Sequence, residues 1–117
     1  MLNKLNRLKK RYQFSYVYKY GEHISGNYMV LYFTTAKNKH MKVGLAVTKK
    51  VGHAVVRNKI RRRLREIVRK QLPNLKQNYN IIVVAKDCIT NAPFNILTTE
   101  FNKLTKKAGI IQDEESI

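Results

Sequence analysis

Residues 43–65 read VGLAVTKKVGHAVVRNKIRRRLR, and within this stretch the spacing of apolar side chains changes from two residues to three or four. Up to residue 48, large apolar side chains alternate with small ones, a pattern typical of a strand with one buried face. The stretch therefore predicts a strand from about Met41 to Thr48, following a polar turn at 37–40. Its two faces carry Val43, Leu45 and Val47 on one side and Gly44, Ala46 and Thr48 on the other.

The second half of the stretch belongs to a helix predicted from Ala54 to Leu72. Pro73 ends this helix, because the residue before a proline is pushed out of the helical region. Three- and four-residue spacing places the apolar side chains on one stripe that can face a core. The stripe consists of Ile60, Leu64, Ile67, Val68 and Leu72.

Further strands and a last helix are predicted outside this stretch. Tyr28–Thr35 alternates as a strand, with Met29, Leu31 and Phe33 on one face and Tyr28, Val30 and Tyr32 on the other. Ile81–Ala85 is a short apolar run typical of a buried strand. The last helix is predicted to begin near Asn91-Ala92-Pro93, a capping residue with an early proline. Its core side would consist of Leu97, Phe101, Leu104 and Ala108.

The segment from Arg11 to Tyr20 fits two structures. Its aromatic residues occupy every second position from Tyr12 to Tyr20, which is typical of a strand. Phe14, Val17 and Tyr18, followed by Gly21, fit a short helix instead. Periodicity alone slightly favours the strand.

The composition bounds the class of protein. The 117 residues include 24 Lys and Arg against seven Asp and Glu, a net charge of +17. Such an excess is typical of a protein with a polyanionic partner. The length, the 44% hydrophobic content and the lack of linkers predict one domain over 1–111. Residues 112–117, which include Asp113, Glu114 and Glu115, are predicted to form a disordered acidic tail.

Several classes of protein are not expected from this composition. The chain has no apolar run near the roughly 20 residues that cross a bilayer and no signal-peptide pattern at its start. Its single cysteine, Cys88, allows no internal disulfide framework. We therefore expect a cytoplasmic protein that binds nucleic acid.

The predicted 54–72 helix carries the densest charge, with eight basic residues against Glu66 alone. Arginine forks can hold two phosphate oxygens, which makes this helix a candidate RNA-binding surface. A solvated charged face is the simpler alternative, but such faces usually interleave the two signs. A helix lying on a membrane is a further alternative. Opposite the apolar stripe lie Asn58, Arg62, Arg65 and Arg69, with Arg57 and Arg61 near its edge and Glu66 able to pair with Arg62 or Lys70.

Aromatic side chains supply a second candidate surface. Tyr28 and Tyr32 share a strand face that need not be buried, beside the small residues of the 41–48 strand. Phe14 and Tyr18 would line the same hollow if their segment were helical. Bases of a single strand stack on such rings, whereas half-buried packing is the competing interpretation for each tyrosine.

The sequence offers no recognisable protein active site. Its acids Glu22, Glu66, Asp87 and Glu100 are isolated, so no carboxylate pair predicts a metal site. His23, His40 and His53 lack zinc-like spacing. Cys88 is most simply a small packed thiol. These residues indicate a binding protein with no catalytic or metal site of its own.

The run from Lys49 to Arg65 also resembles the signature of the bacterial ribonuclease P protein family, K-K-x-G-x-A-V-x-R-N-x-x-[KR]-R-x-x-R. The resemblance extends in order to Arg7-Leu8-Lys9-Lys10, Phe14-x-x-x-Tyr18-x-x-Gly21, Val30-Leu31-Tyr32 and Ile81–Lys86. It implies an α+β fold of order α-β-β-β-α-β-α, with a four-stranded sheet and a left-handed βαβ crossover, similar to a ribosomal-protein domain. It makes Arg11–Tyr20 a helix.

The resemblance implies positions for two RNA partners. The positions that contact the catalytic RNA are Arg57, Asn58, Arg61, Arg62 and Arg65, to which the helical row adds Arg69. The cleft for the 5′ leader of precursor tRNA corresponds to Phe14, Tyr18, Val30, Tyr32, Thr48, Lys50 and Lys86. Tyr18 stands where many members have Phe, which preserves stacking. His53 stands where Asn is common, and the acidic tail matches nothing in the pattern.

The implied function is that of a subunit of a ribonucleoprotein endonuclease. One protein monomer and one catalytic RNA would form a 1:1 complex. This complex would remove the 5′ leader from precursor tRNA. The catalytic Mg²⁺ would be held mainly by the RNA. A ribosomal or other structural RNA-binding protein without processing activity is the alternative, and a protein-only nuclease is a third hypothesis.

Overall fold

A computed structural model describes residues 6–37 and 39–112. Its elements follow the order α-β-β-β-α-β-α implied by the family resemblance. They are α1 (Arg11–Tyr20), β1 (Glu22–Ser25), β2 (Met29–Thr35), β3 (Lys42–Ala46), α2 (Ala54–Gln71), β4 (Tyr79–Ala85) and α3 (Phe94–Ala108), with short 3-10 turns at Leu72–Asn74 and Asp87–Asn91. The prediction of a mixed α+β fold is confirmed.

The four strands form one sheet in the order β1-β2-β4-β3. β2 is antiparallel to both β1 and β4, whereas β3 and β4 are parallel. Parallel neighbours need a crossover connection, and α2 supplies it between β3 and β4. The left-handedness of this crossover stays a prediction.

One face of the sheet packs against α2 and α3. Met29, Leu31 and Phe33 are buried there, as the alternation in β2 predicts. The apolar stripe of α2 is buried in the same cluster from Ile60 to Val68. Leu97, Phe101 and Leu104 of α3 complete the core, and Ala108 is half-buried.

The opposite face of the sheet carries α1, so the domain has three layers. Val17 of α1 and Ile82 of β4 are fully buried in this second cluster together with Leu8. The slight preference of the periodicity for a strand at 11–20 is therefore wrong. Tyr12, Tyr16 and Tyr20 are four residues apart, and such a set satisfies both a two-residue and a helical repeat.

Local hydrogen bonds explain where the helices begin and end. Gln13 Oε1 accepts the Lys9 and Lys10 N–H groups at 2.9 Å, which caps the start of α1. Pro93 occupies the N-cap position of α3, and no side chain caps this helix. The expectation of an Asn91 cap is therefore wrong, since Asn91 closes the preceding 3-10 turn. Gly109 ends α3 in the left-handed conformation, with φ 73°.

The edge strands of the sheet are β1, which is short, and β3, whose outer edge is partly covered. β1 has four residues, and its polar sequence did not predict a strand. Beside β3, Arg7 forms a parallel bridge with Val43, and Leu8 N–H donates to Val43 O at 3.0 Å. Residues 6–8 therefore lie along the otherwise free edge of β3.

The end of the described chain is held by the core. Gln112, where the predicted tail begins, donates its backbone N–H to Asn74 O at 2.8 Å and its side-chain amide to Leu75 O at 3.1 Å. The acidic residues 113–115 lie outside the described residues, so tail disorder stays a prediction. Within residues 6–37 and 39–112, no helix is long and apolar enough to span a membrane.

Candidate nucleic-acid interface

The outer face of the sheet presents three rows of side chains beneath α1. Strand register places His23, Tyr32, Ile82 and Gly44 in the middle row. Ser25, Val30, Val84 and Ala46 form a row on one side of it, and Thr34, Asn80 and Lys42 form a row on the other. α1 packs onto the middle row, so each outer row borders one flank of the helix.

The Phe14 ring fixes α1 on the middle row. A Cβ added at Gly44 would overlap Phe14 Cε2, so this ring occupies the space that a larger side chain would need. The expectation that Gly44 offers an open floor to a nucleic-acid chain is therefore wrong. In the second cluster, on this outer face, Ala46 and Val84 are the half-buried floor instead.

We call the flank beside Val30, Val84 and Ala46 the leader cleft, after the function that the family resemblance implies. Tyr18 meets Tyr32 edge to face, with 4.8 Å between ring centroids. His23 stacks on Tyr32 at 5.2 Å. The structure brings the predicted Phe14, Tyr18, Val30 and Tyr32 together here with the expected floor residue Ala46. His23 and Val84 were missed, and Tyr28, expected to share a face with Tyr32, packs against the core on the other side of the sheet.

The Tyr18 side chain keeps its proton in the leader cleft. Partial burial, with a smaller contribution from the neighbouring Tyr32, raises the pKa of the Tyr18 phenol above its ordinary value of 10.0. The hydroxyl is therefore a hydrogen-bond donor throughout the neutral range. Tyr18 is 41% exposed, which leaves it accessible to a ligand.

The remaining predicted cleft residues lie at the ends of strands. Thr48 and Lys50 are exposed in the turn after β3, where Val51 N–H donates to Thr48 O at 3.0 Å. Lys86 follows β4 and is half-buried, and its ammonium donates to Gly26 O in the β1–β2 turn. Lys86 therefore supports that turn, and two of its three ammonium protons remain for other acceptors.

The second surface is the exposed side of α2, which we call the basic row: Asn58, Arg62, Arg65 and Arg69. Asn58, Arg62 and Arg69 are exposed and Arg65 is half-buried. Beside the row, Arg61 donates to Asn58 Oδ1 at 3.0 Å and to Val47 O at 3.4 Å. The second contact ties α2 to the end of β3, next to the leader cleft.

The arginines of α2 differ in whether their guanidinium groups already have a hydrogen-bond partner. Glu66 accepts two hydrogen bonds from Arg69, so the expectation of a pair with Arg62 or Lys70 is wrong. The Arg69 hydrogen bond lowers the pKa of the Glu66 carboxyl and raises that of the Arg69 guanidinium. Among the described residues, Arg57 Nε is buried without a hydrogen-bond partner.

Across 6–37 and 39–112, no three His, Cys, Asp or Glu side chains are grouped so that they could hold a metal ion. Cys88 is exposed and its thiol donates to Asn27 O at 3.3 Å, which corrects the expectation of a packed thiol.

Comparison with known proteins decides the family. The Ribonuclease P family model matches residues 2–109. The chain belongs to the ribonuclease P protein family. The ribonuclease P protein component of Natranaerobius thermophilus is 36% identical, over 95% of this chain and 96% of that protein. That of Caldanaerobacter subterraneus is 35% identical, over 98% and 99% of the two chains.

Solved ribonuclease P proteins share the whole architecture. The structure of the Staphylococcus aureus protein superposes with a TM-score of 0.83 at 29% identity, covering 91% of this chain and 97% of that one. The Thermotoga maritima protein gives 0.79 at 25% identity, covering 87% and 96%. As a member of this family, the chain associates with the ribonuclease P RNA and acts in tRNA processing.

Proposed function

We propose that this chain holds the single-stranded 5′ leader of precursor tRNA in the leader cleft while the basic row binds the catalytic RNA. The observation that carries the proposal is the adjacency of the two surfaces. Arg61 connects α2 to Val47 O, directly beyond the Ala46 floor of the cleft. A strand bound in the cleft would therefore lie beside the RNA that cleaves it.

The two surfaces suit different RNA structures. Tyr18 and Tyr32 offer aromatic rings on which unpaired bases of a leader can stack. The arginines of α2 instead present rigid forks for phosphates of a folded RNA, whose counterions are released on binding. The protein contribution is then positioning and charge neutralisation.

We assign the hydrolysis of the phosphodiester between leader and mature tRNA to the RNA partner. Mg²⁺ prefers oxygen ligands such as grouped carboxylates, and the described residues assemble no such group. We assign the catalytic Mg²⁺ to the RNA partner, as the family resemblance implies. We place the protein, as one monomer per catalytic RNA, in the cytoplasm where tRNA is made.

Reconstitution tests the proposal. The chain is added to its cognate catalytic RNA at low Mg²⁺, and cleavage of precursor tRNA is followed against RNA alone. We expect faster cleavage, with a larger gain for a precursor carrying a long leader than for one with a single leader nucleotide.

The control arms separate the alternatives. Absence of any stimulation would favour a structural RNA-binding protein without a processing role. Mg²⁺-dependent cleavage by the protein without RNA would instead establish a protein-only nuclease. Equal stimulation of both leader lengths would remove the leader from the cleft.

A further inference from the structure

The second flank of α1 carries aromatic side chains that the leader cleft does not use. Tyr12, Tyr16 and Tyr20 repeat every four residues and are 70%, 54% and 61% exposed. Tyrosines this exposed add little to the protein core, and a contiguous exposed apolar row marks an interaction surface. Together with the outer row at Asn80, they define what we call the tyrosine groove.

The groove is a real concavity between α1 and the sheet. A cavity of about 420 Å³ lies among Tyr12, Tyr16, Tyr20 and Asn80. A second cavity of about 580 Å³ shares Tyr16 and Asn80 and extends past Thr35 to Lys37. Both volumes fall within the roughly 300–1,000 Å³ of sites that hold small organic groups. The groove can therefore accept flat ligands against its rings.

The charge of the groove favours an anionic strand over a protein. Lys19 and Lys37 line the two cavities, and neither lining includes an acid. Glu22 lies at an adjoining cavity below Tyr20. The Lys19 ammonium sits 5.4 Å from the Tyr20 ring centroid, so a cation is already held beside a stacking surface. Rings flanked by lysines are the combination that binds unpaired nucleotides.

We propose that the tyrosine groove is a second RNA-binding site, which stacks unpaired bases on the flank of α1 opposite the leader cleft. Its occupant is the part of the 5′ leader that continues beyond the leader cleft, because the groove and the cleft border the two flanks of the same helix. The inference deepens the proposed function, because the source of the strand rests on it.

The test uses the full chain with Tyr16→Ser and its conservative partner Tyr16→Phe. Affinity is measured by fluorescence anisotropy for three labelled probes: a ten-nucleotide single-stranded RNA, a long-leader precursor tRNA and the catalytic RNA. We expect Tyr16→Ser to weaken binding of the long-leader precursor by about 5- to 150-fold, the loss that one stacked base brings. Tyr16→Phe should stay within about twofold, since its ring still stacks.

The arms identify the source of the strand. A loss confined to the precursor is the expected result, whereas a loss confined to the catalytic RNA would overturn the assignment to the leader. Unchanged affinity of Tyr16→Ser for all three probes would overturn the proposal. So would a change in self-association, seen by sedimentation, without a change in RNA affinity, because it would assign the groove to a second copy of this chain.

Failure of this proposal is distinguishable from failure of the proposed function. If the wild-type chain stimulates cleavage while Tyr16→Ser binds all RNAs normally, only the tyrosine groove is wrong. If the wild-type chain fails to stimulate cleavage, the proposed function is wrong, and the ten-nucleotide probe still tests the groove. Circular dichroism and thermal melting check that the exposed substitutions leave the fold intact.

Discussion

Arginines of the basic row differ in how much of their charge is available to RNA. Arg69 lies against Glu66, which takes up two of its N–H groups, whereas Arg62 has no carboxylate partner among the described residues. A guanidinium already paired must give up that partner before it can hold a phosphate. Equal spacing along a helix therefore does not mean equal contributions to binding.

We predict that Arg62→Ala weakens binding to the catalytic RNA about tenfold, the effect of losing roughly 1.4 kcal/mol of charged hydrogen bonding. Arg69→Ala should cost distinctly less. Glu66→Gln should strengthen binding, since it releases Arg69. Filter binding at several salt concentrations measures this, and the salt slope should fall by about one for Arg62→Ala. Equal losses for Arg62→Ala and Arg69→Ala would contradict the role of Glu66.

The leader cleft is best tested at Tyr18. Phe14→Ala should reduce binding of leader-bearing precursor, but Phe14 also packs against Gly44 and its loss would disturb the fold. Tyr18 is 41% exposed, so Tyr18→Ala removes a stacking ring at little structural cost.

We predict that Tyr18→Ala lowers affinity for precursor tRNA by about 5- to 150-fold and leaves affinity for mature tRNA nearly unaltered. Tyr18→Phe is the matched control and should retain most of the affinity. Fluorescence titration of labelled precursor and mature tRNA measures both. Parallel losses for the two ligands would show that Tyr18 does not contact the leader.

The elements differ in how far the sequence predicts them. The predicted 54–72 helix matches α2 to within one residue, because its apolar stripe has a helical repeat that no strand shares. The sequence leaves α1 ambiguous, because tyrosines four residues apart fit both the helical repeat and the two-residue repeat of a strand. β1 was missed because its four residues are polar and form an edge strand that only pairing with β2 defines. Contacts between distant residues, such as that of Arg61 with Val47, leave no local pattern.

The packing of α1 against the sheet depends on the absence of a side chain at Gly44 in β3. Substituting alanine for this glycine should therefore change the free energy of unfolding in the opposite direction to the usual one. Alanine in place of a strand glycine ordinarily stabilises a protein slightly. At Gly44 it should instead destabilise by about 1–3 kcal/mol, because the new Cβ meets the Phe14 ring. Urea denaturation measures the free energy of unfolding.

The double variant supplies the control for this contact. In a Phe14→Leu background, Gly44→Ala should cost less than in the wild-type chain, with a coupling of about 0.5–3 kcal/mol. Additive effects of the two substitutions would show that the contact is not the cause.

At the scale of the whole molecule, charge opposes folding as much as it promotes binding. Residues 1–112 hold 24 basic and four acidic side chains, a net charge of +20. Both flanks of α1 and the exposed side of α2 share this sign. Their mutual repulsion weakens the compact state in the absence of RNA.

We therefore predict that the free chain melts at a higher temperature as salt is added, because counterions screen this repulsion. Each kcal/mol relieved should raise the melting temperature by roughly 4–8 °C. Calorimetry at low and high concentrations of potassium chloride measures the shift. A melting temperature that is independent of salt would show that the repulsion is not felt in the folded state.

The short bridge beside β3 has a consequence for self-association. A bare edge strand offers unpaired N–H and C=O groups to the edge of another molecule, which is a common start of aggregation. Here Arg7 and Leu8 occupy that position on β3, and the opposite edge is a four-residue polar strand. Residues 6–8 thus occupy the edge of β3 at which a strand of a second molecule could otherwise pair and extend the sheet. Covering this edge reduces aggregation of the free protein before it binds its RNA.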